Sequence, residues 1–356
     1  MPHVFVGMSG GVDSSVCALL LQQAGYQISG INLQMFHEED LGILPAQHCS
    51  SSGAEDARLV AERLGAPFHM LDVSKVFRNT VLCNFVSEYE AGRTPNPCVT
   101  CNRNVKFGEL LRQVLDLGAD YLATGHYAQI AHDPDTGRYL LKRGADRSKD
   151  QSYFLYMLTQ EQLAHTLFPL GGLTKSEVRQ IAEAHGLVNA KRKDSQDICF
   201  VPDGKYAAVI ERLTGRTSPT GNFLDMDGAV LGQHKGFIRY TKGQHKGLGL
   251  PTAEPLYVLS KDASTHAICL GPDSALWSSE LVAEHVNWIS VPELTAPLTV
   301  TAKTRYSQRE SSAVVHPLPD GRVHVIFDEP QRAITAGQAV VFYNGEIVVG
   351  GGTICE

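Results

Sequence analysis

The stretch Ser9–Ser15 reads SGGVDSS and decides the fold of the first part of the chain. A short apolar run, Val4–Val6, precedes it, and a longer apolar run follows it. Two adjacent glycines let the backbone turn sharply and approach a ligand without interference from a Cβ atom. The sequence therefore predicts a strand, a glycine-rich turn and a helix. Asp13, Ser14 and Ser15 are predicted to cap the helix N-terminus, where free N–H groups and the helix dipole favour phosphate.

No lysine follows the glycines, so this turn is not the Walker loop, G-x-x-x-x-G-K-[ST]. It resembles instead the PP-loop of ATP pyrophosphatases, enzymes that split ATP into AMP and pyrophosphate to adenylate a substrate. A plain turn between strand and helix is the alternative, and the full S-G-G-x-D-S pattern favours the PP-loop. The resemblance implies ATP and Mg²⁺ as cofactors. The ATP-binding residues that it implies are Gly7, Met8, Ser9, Gly10, Gly11, Val12, Asp13, Ser14, Met35 and Gly125.

Strands and helices alternate over the first 125 residues. Strands are predicted at Val4–Met8, Ile28–Met35, Phe68–Val73 and Tyr121–Thr124, and helices at Asp13–Ala24, Ala54–Leu64, Lys75–Glu90 and Val105–Leu117. Such alternation predicts an α/β domain with a parallel sheet covered on both faces. Ligands of these sheets bind beyond the C-terminal ends of the strands. Three candidate residues lie at such strand ends, since Ser9 and Gly125 come directly after predicted strands and Met35 ends another. Their position supports a nucleotide pocket at this edge of the sheet.

Before Pro202, the DPDTG turn signal predicts a hairpin around His132–Tyr139, and Thr174 and Glu177 have the spacing of a capping box. After about Pro202 the sequence pattern changes. A short predicted helix, Lys205–Leu213, is followed by glycine-rich, β-patterned sequence. Strand signals then dominate, at Leu298–Lys303, Ser312–His316, Arg322–Phe327 and Gln338–Tyr343. We predict a PP-loop catalytic domain (1–203), a small central β-rich domain (204–271) and a C-terminal β-barrel (272–356).

Composition indicates a globular cytoplasmic protein, and we expect a monomer. Of the 356 residues, 43% are hydrophobic and 19% charged, no apolar run could span a bilayer, and no basic stretch marks a signal peptide. The formal net charge of -7 argues against a generally basic nucleic-acid binder. Local charge differs: basic residues dominate Gly232–Leu250, Arg138–Lys149 and Thr299–Arg309. A polyanion needs only a positive stripe, although any one of these stretches is more simply a solvated face.

Three of the eight cysteines are candidates for chemistry. Gly92–Asn102 reads GRTPNPCVTCN, which its prolines and glycine predict to be a loop. Its Cys98 and Cys101 form C-x-x-C, a spacing shared by redox, zinc and iron–sulfur sites. Cys199 lies in KRKDSQDICF, where neighbouring lysines and arginine are predicted to lower the pKa of the thiol and favour the thiolate. A buried core thiol is the alternative for Cys199.

Taken together, these motifs resemble one family over nearly the whole chain, the tRNA-specific 2-thiouridylases of the MnmA/TrmU type. The matching motifs are GMSGGVDSS at Gly7, GRTPNPC..CN at Gly92, ATGHY at Ala123, KDQSYFLY at Lys149, KDSQDICF at Lys193, KGQHKGLGL at Lys242, KTRYSQ at Lys303 and FYNGEIVVGGG at Phe342. The resemblance implies replacement of the 2-carbonyl oxygen of the wobble uridine by sulfur, in the anticodon loops of tRNAs for lysine, glutamate and glutamine.

The resemblance also implies roles for individual residues. Cys199 would carry the sulfur as a persulfide, and Cys101 would be its partner thiol. Asn96, Pro97 and Cys98 match positions that meet the target base, and Lys149, Asp150, Gln151, Arg305 and Tyr306 match tRNA contacts. A base in a folded anticodon loop must be splayed out for such a reaction. The implied partners are tRNA and a sulfur-relay protein or cysteine desulfurase that donates the persulfide.

Cys98 departs from the family pattern, because many members carry Asp at this position. Cys98, Cys101 and Cys199 could then be three ligands of an iron–sulfur cluster that thiolates the same base. Two further alternatives remain open from the residues alone. One is a PP-loop ligase that adenylates a small carboxylate, and the other is a non-catalytic tRNA-binding protein in which Cys98 and Cys101 hold a structural metal.

Overall fold

A computed structural model describes residues 1–37, 50–190, 192, 198–201, 204–251 and 254–355. The first part of the chain alternates strands and helices as predicted. Its elements are β1 (His3–Gly7), α1 (Val12–Gln23), β2 (Gln27–Gln34), α2 (Ser50–Arg63), β3 (Phe68–Asp72), the helices α3 and α4 treated below, β4 (Tyr121–Ala123), β5 (Ala128–His132), β6 (Tyr139–Arg143), α5 (Gln160–Ala164), β7 (Thr166–Leu167) and α6 (Lys175–Ala184). β3, β2, β1, β4 and β7 form a parallel sheet in that order. The predicted parallel sheet is therefore confirmed.

Helices α3 and α4 each contain a π-helical segment that the sequence did not indicate. α3 consists of α-helical Ser74–Phe77, π-helical Arg78–Leu82 and α-helical Cys83–Glu90. α4 consists of α-helical Pro97–Cys101, π-helical Asn102–Leu110 and α-helical Leu111–Asp116. The prediction of a loop over Gly92–Asn102 is wrong for its second half. Pro97 occupies the first helical position, where its missing N–H costs nothing, and Asn96 caps the helix by accepting a hydrogen bond from the Val99 N–H at 3.3 Å.

The central part of the chain is the short helix α7 (Tyr206–Thr214) followed by a four-stranded sheet. Its strands are β8 (Gly221–Leu224), β9 (Val230–His234), β10 (Tyr257–Asp262) and β11 (Ala267–Gly271), in the order β10-β11-β8-β9. Buried residues of this sheet, among them Phe223 and Ile268, share a core with Phe77 of α3 and Val105 of α4. The central unit thus packs on the two helices that contain π segments.

The C-terminal part is a six-stranded antiparallel barrel, as predicted. Its strands are β12 (Trp277–Trp288), β13 (Leu298–Lys303), β14 (Ser311–Pro317), β15 (Val323–Arg332), β16 (Ala339–Asn344) and β17 (Ile347–Ile354). Pairing of β12 with both β15 and β17 closes it. Among the described residues, no helix has the length and apolar character that a membrane crossing requires.

The predicted hairpin, β5–β6, extends the sheet of the barrel rather than standing alone. β6 pairs with β17 at Lys142 and Ile347. One hydrophobic core accordingly contains Phe5 and Leu122 of the parallel sheet together with Val341 and Tyr343 of the barrel. The parallel-sheet domain and the barrel therefore share one hydrophobic core, and this shared core fixes their relative placement.

Arg143, at the end of β6, is the polar anchor of this junction. Its side chain is only 8% exposed, its guanidinium lies 3.7 Å from the centre of the Tyr343 ring, and its Nε donates to the Gly345 carbonyl at 3.1 Å. It also forms ion pairs with Glu310 of the barrel and, at 3.9 Å, with the buried Asp150. A buried ion pair contributes little relative to apolar packing, but loss of one partner leaves an uncompensated buried charge.

We expect Arg143→Met to lower the free energy of unfolding by about 3–5 kcal/mol, because Asp150 would lose its cation inside the junction. The matched control is Arg147→Met, which removes an arginine that also pairs with the barrel, at Glu346. Arg147 and Glu346 are 51% and 57% exposed, so that loss should stay below about 1 kcal/mol. Urea unfolding of the full chain measures both values, and equal losses would contradict the anchoring role of Arg143.

Candidate active site

The predicted PP-loop forms a tight turn between β1 and α1 in which glycine is required. Gly10 has a φ of +76°, and a Cβ atom there would lie 2.1 Å from the carbonyl oxygen of Gly53 in α2. The main chain of Met8 is held by the neighbouring strand, since its N–H donates to the Ile31 carbonyl at 2.8 Å and its carbonyl accepts from Asn32 Nδ2 at 2.6 Å. The turn is therefore fixed on both sides before any ligand arrives.

The N-terminus of α1 has no side-chain cap, contrary to the prediction for Asp13, Ser14 and Ser15. The capping position is Gly11, and no side chain bonds the first-turn N–H groups. Ser14 and Ser15 instead donate their hydroxyls back to the Gly11 carbonyl, each at 3.1 Å. Uncapped N–H groups of a helix start, together with the helix dipole, form an anion site.

Asp13 is held by two residues that the sequence analysis missed. Lys175 Nζ, on the first residue of α6, lies 2.7 and 2.8 Å from the two carboxylate oxygens, and the Tyr127 hydroxyl donates to one of them at 2.8 Å. The Asp13 side chain is 32% exposed and that of Lys175 only 11%. The capping box at Thr174 and Glu177 is confirmed and places Lys175 at the helix start. No local signal indicates that this lysine reaches a residue 162 positions away.

Asn189 is a third residue that the sequence analysis missed. Its buried amide nitrogen donates to the Gly10 carbonyl at 2.9 Å, the Gly11 carbonyl at 3.2 Å and Ser15 Oγ at 2.8 Å. Arg192 adds a hydrogen bond to the Gly10 carbonyl at 3.3 Å and an ion pair with Asp56. The chain after α6 therefore fixes the carbonyl groups of the turn, while the N–H groups of Ser9 and Gly11 donate to the hydroxyls of Ser14 and Ser9 at 3.2 and 3.4 Å.

The remaining predicted nucleotide residues lie around this turn. β1, β2 and β4 run parallel, so Ser9, Met35 and Gly125, which follow them, stand at one edge of the sheet. A Cβ atom on Gly125 would lie 3.0 Å from the first-turn backbone of α1. Gly7 ends β1, Met8 and Val12 are buried, and Met35 is half-buried. The edge at which ligands of parallel sheets bind is thus the edge that the glycine-rich turn occupies.

Three free cysteines lie close to one another on the neighbouring helix and on the segment 198–201. Cys98 and Cys101 are three residues apart on α4, and Cys101 is buried in the same core cluster as Phe200. The Phe200 ring packs edge-on against Phe85 of α3 at 5.1 Å, which holds the adjacent Cys199 beside α4. Cys101 and Cys98 add to the effect of burial in raising the pKa of the Cys199 thiol.

Burial, and not local charge, dominates the acidity of these thiols. The residues Cys98 and Cys199 reach the surface, yet enough protein surrounds their thiols for desolvation to raise the pKa of both, that of Cys199 to about 12. Burial likewise raises the pKa of the Cys101 thiol. The prediction that neighbouring basic residues make Cys199 a thiolate is not supported. Arg192 is committed to Asp56, and Lys191 and Lys193 lie outside the described residues.

The iron–sulfur alternative finds no support in the geometry. Within the described parts of the chain, no group of three or more His, Cys, Asp or Glu side chains is arranged to hold a metal ion.

The segment Lys149–Gln151 connects the barrel junction with the nucleotide turn. Asp150 is buried and accepts hydrogen bonds from the N–H groups of Gly144 at 3.0 Å and Ser152 at 3.1 Å. Gln151 exchanges hydrogen bonds with the main chain of Tyr127 at 3.0 and 2.9 Å. Lys149 is half-buried. Since Tyr127 also bonds Asp13, a change in this segment would be felt at the nucleotide turn.

Arg305 and Tyr306 lie on the barrel beside the same segment. Arg305 Nη2 donates to the Ala333 carbonyl at 2.9 Å and to Thr335 Oγ1 at 2.6 Å, and it reaches the Lys242 carbonyl at 3.4 Å. The basic Gly232–Leu250 stretch is thereby brought to the barrel. Desolvation, with a smaller contribution from Arg305, lowers the pKa of Lys242.

Tyr306 presents an aromatic surface close to the cysteine helix. It is 38% exposed, and its ring centroid lies 4.5 Å from that of Phe154. The Phe154 carbonyl in turn accepts a hydrogen bond from Asn102, the residue after Cys101, at 3.0 Å. Asn96 and Pro97 start the same helix. Tyr306 of the barrel is therefore linked to the helix of Cys98 and Cys101 through Phe154.

A cavity of about 550 Å³ lies on the opposite face of α4, between this helix, α3 and the barrel. Its lining includes Asn96, Thr100 and Arg103 of the helix segment and His285 and Thr353 of the barrel, but none of the three clustered cysteines. The two faces of α4 are thus chemically distinct, with thiols on one and hydrogen-bonding groups on the other.

Three family models match successive parts of the chain. They describe a tRNA methyl transferase HUP domain over residues 2–203, a tRNA methyl transferase PRC-barrel domain over 209–272 and an aminomethyltransferase β-barrel domain over 278–354. Among solved structures, a 4-thiouridine synthetase–RNA complex with bound ATP is only distantly similar, at 17% identity and a TM-score of 0.36 over 60% of this chain and 52% of that chain.

Curated relatives match over essentially their whole length. The tRNA-specific 2-thiouridylase of Acetivibrio thermocellus is 48% identical over 99% of this chain and 98% of the relative. Those of Clostridioides difficile and Halothermothrix orenii are 46% and 47% identical, over 99% and 100% of this chain and 97% and 99% of the relatives. At this identity and coverage, the chain belongs to the family of tRNA-specific 2-thiouridylases.

Proposed function

We propose that this enzyme adenylates the 2-carbonyl oxygen of the wobble uridine in tRNAs for lysine, glutamate and glutamine, and then replaces that oxygen with sulfur. The observation that carries the proposal is that two sites are linked by α4. An uncapped helix start with a glycine turn suits a nucleotide, and free thiols lie on α4, whose Phe107 ring is 5.8 Å from that of His126, the residue after Gly125 at the nucleotide edge. A ligase acting on a carboxylate would have no use for the thiols, and a non-catalytic RNA-binding protein would have none for the nucleotide turn.

In the first step, the uridine oxygen attacks the α-phosphorus of ATP and pyrophosphate leaves. A carbonyl oxygen is a poor leaving group, and adenylation lets AMP leave in its place. The N–H groups at the start of α1 and the Lys175 ammonium are positioned to stabilise charge that develops on the phosphates. Lys175 would supply the positive charge that the Walker lysine supplies in other nucleotide sites.

Mg²⁺ fits the same site as an ion that arrives with the nucleotide. Mg²⁺ bound to substrate phosphates needs only one or two protein carboxylates, and Asp13 offers one that is a third exposed at the helix start. Asp13 is thus the residue proposed to hold it. When bound, the ion would neutralise part of the charge of the leaving pyrophosphate.

In the second step, sulfur replaces the activated oxygen. The terminal sulfur of a Cys199 persulfide attacks carbon 2 of the uridine, and AMP leaves with the original oxygen. The Cys101 thiolate then attacks Sγ of Cys199, which forms a Cys101–Cys199 disulfide and leaves the outer sulfur on the base as 2-thiouridine. An external thiol reduces the disulfide. A sulfur-relay protein or cysteine desulfurase supplies the persulfide sulfur.

Substrate RNA is proposed to lie across the barrel, α4 and the Lys149–Gln151 segment. The target uridine must leave the stack of the anticodon loop, and exposed aromatic rings such as Tyr306 are typical stacking platforms for unstacked bases. Asn96, Pro97 and Cys98 are proposed to meet the target base, while Lys149 and Arg305 neutralise phosphates. We further propose that the enzyme acts as a monomer in the cytoplasm.

We expect Asp13→Asn and Lys175→Met each to reduce tRNA-dependent pyrophosphate release by about 10²-fold or more, because the first removes the carboxylate proposed to hold Mg²⁺ and the second removes a positive charge that stabilises the leaving pyrophosphate. Glu177→Gln is the matched control. It removes a charge from the same helix start but can preserve the capping hydrogen bond, so pyrophosphate release should be unchanged. Near-normal release by Asp13→Asn would show that Asp13 has no part in adenylation.

The cysteine assignments lead to a second expectation. Cys101→Ser and Cys199→Ser should form essentially no 2-thiouridine yet still release pyrophosphate, whereas Cys98→Ser should keep partial activity. Cys269→Ser, which changes a half-buried thiol of the central sheet, is the control. Nucleoside mass spectrometry after incubation with tRNA, ATP and a persulfide donor measures the product. Activity that appears only after anaerobic iron–sulfur reconstitution, with Cys98→Ser as inactive as Cys199→Ser, would overturn the persulfide route.

RNA binding gives a third expectation. Lys149→Ala and Arg305→Ala should each weaken tRNA binding without changing ATP affinity, and each should reduce the salt dependence of binding by about one phosphate contact. Arg147→Ala, at an exposed arginine already paired with Glu346, is the comparison. Filter-binding measurements at several salt concentrations give the slopes. If Arg305→Ala binds tRNA with the slope of the unaltered protein, its role is confined to its bonds within the barrel.

A further inference from the structure

Lys106 is placed by the π-helical segment of α4 on the same face as the two cysteines of that helix. In an α-helix, five residues advance about 1.4 turns, so a residue five positions after Cys101 would point away from it. The segment Asn102–Leu110 is π-helical, and its hydrogen bonds join residues five apart, which brings Lys106 back toward the side of Cys101. π-helical turns within α-helices are frequent at functional sites.

The charge of Lys106 acts on every thiol of the cluster. It lowers the pKa of Cys98, Cys101 and Cys199, and in each case it opposes the larger effect of burial. It is the cation that these three thiols have in common. The Lys106 side chain is half-buried, and within the described residues it forms no ion pair or hydrogen bond that would neutralise it.

Lys106 also acts on His126, which follows Gly125 at the nucleotide edge of the sheet. Its charge, together with stronger desolvation, keeps the pKa of His126 well below the ordinary value, so this imidazole is neutral. His126 stacks near Phe107, the residue after Lys106, at 5.8 Å, and Thr124 bonds its Nδ1 at 2.7 Å. The groups that face Lys106 are thus three thiols and a neutral imidazole. Among the described residues, no carboxylate contributes to the acidity of any of these four groups.

We propose that Lys106 is the positioning cation of the sulfur-transfer site, which holds the attacking sulfur of Cys199 and then the thiolate of Cys101 as anions. This inference rests on the proposed function. Thiols whose pKa is raised by desolvation are poor nucleophiles unless a nearby cation favours the anion. Lys106 does not touch the base or exchange a proton with it. It acts through the two cysteines, and because its charge reaches both, one lysine serves both the attack on the ring and the formation of the disulfide.

The Cys199 anion is further constrained by its neighbours. Cys101 and Cys98 both raise the pKa of the Cys199 thiol, so two anions side by side are disfavoured. One unneutralised ammonium stabilises one negative charge, which is what each step of the transfer requires. In the first step this charge is on the persulfide of Cys199, and in the second it is on Cys101.

The test compares Lys106→Met, which removes the charge, with Lys106→Arg, which keeps it. Arg103→Met is the matched control, since Arg103 is an exposed cation on the same helix that lines the cavity on its other face. The rate of iodoacetamide alkylation of Cys101 and Cys199 is measured against pH in the full chain without RNA, with the sites separated by peptide mass spectrometry. The same variants are assayed for pyrophosphate release and 2-thiouridine.

We expect Lys106→Met to move the midpoint of alkylation upward by about one pH unit, the size of effect of one nearby charge, and to slow alkylation at pH 7 by about tenfold. 2-Thiouridine formation should fall with it while pyrophosphate release is retained. Lys106→Arg should stay within about twofold of the unaltered protein, and Arg103→Met should be unchanged. If Lys106→Met does not fold, Lys106→Gln replaces it.

An unchanged alkylation profile in Lys106→Met would overturn the inference, and so would a loss of pyrophosphate release with normal alkylation, which would assign Lys106 to the nucleotide. The alkylation profile requires neither tRNA nor ATP. It therefore tests Lys106 even if the unaltered protein made no 2-thiouridine. That result would instead overturn the proposed function.

Discussion

The placement of the candidate active site depends on the buried guanidinium of Arg143. This group lies where the hairpin of the catalytic domain joins the sheet of the barrel, between the Tyr343 ring and the carboxylates of Asp150 and Glu310. Asp150 in turn fixes the start of the segment that follows, and Gln151 ties that segment to Tyr127 and so to Asp13. A single buried cation thus sets the distance between the surface proposed to bind RNA and the turn proposed to bind ATP.

Much of the catalytic domain follows from the sequence because its signals are local. The glycines of the turn, the apolar strands and the helix periods are each readable within about ten residues, and the order of strands in a parallel sheet then has few solutions. The helix at Pro97–Cys101 was missed although its signal was present. An asparagine before a proline can signal either the start of a helix or a loop. In the sequence analysis, the two prolines of this segment were interpreted as a loop signal, whereas the structure has a helix that begins at Pro97. The π-helical segments, in contrast, have no local signature, since they depend on how α3 and α4 pack against the central sheet.

The site was predictable as a set of motifs but not as a set of interactions. Lys175 and Asn189 touch the nucleotide turn from more than 160 residues away, and no spacing rule connects them to Asp13 or Gly10. The pKa of the Cys199 thiol was likewise not predictable from its sequence neighbours. Nearby basic residues were expected to lower this pKa, but Arg192 forms an ion pair with Asp56 and a hydrogen bond with the Gly10 carbonyl. Among the described residues, the cation that lowers the pKa of this thiol is Lys106, on α4. Charge near a residue in sequence is a poor guide to charge near it in space.

Burial and a single cation together suggest why a thiol cluster can coexist with an activated nucleotide. A fully exposed thiolate would react with stray electrophiles and oxidants, whereas burial raises the pKa of all three thiols and keeps them protonated at neutral pH. Lys106 opposes that effect without cancelling it, so an anion is accessible but is not the resting state. On the proposed pathway the negative charge is carried first by the Cys199 persulfide and then by Cys101, and it stays beside the same ammonium. The electrostatic cost of forming the second nucleophile is therefore offset by the cation that served the first, so that one lysine serves two nucleophilic steps.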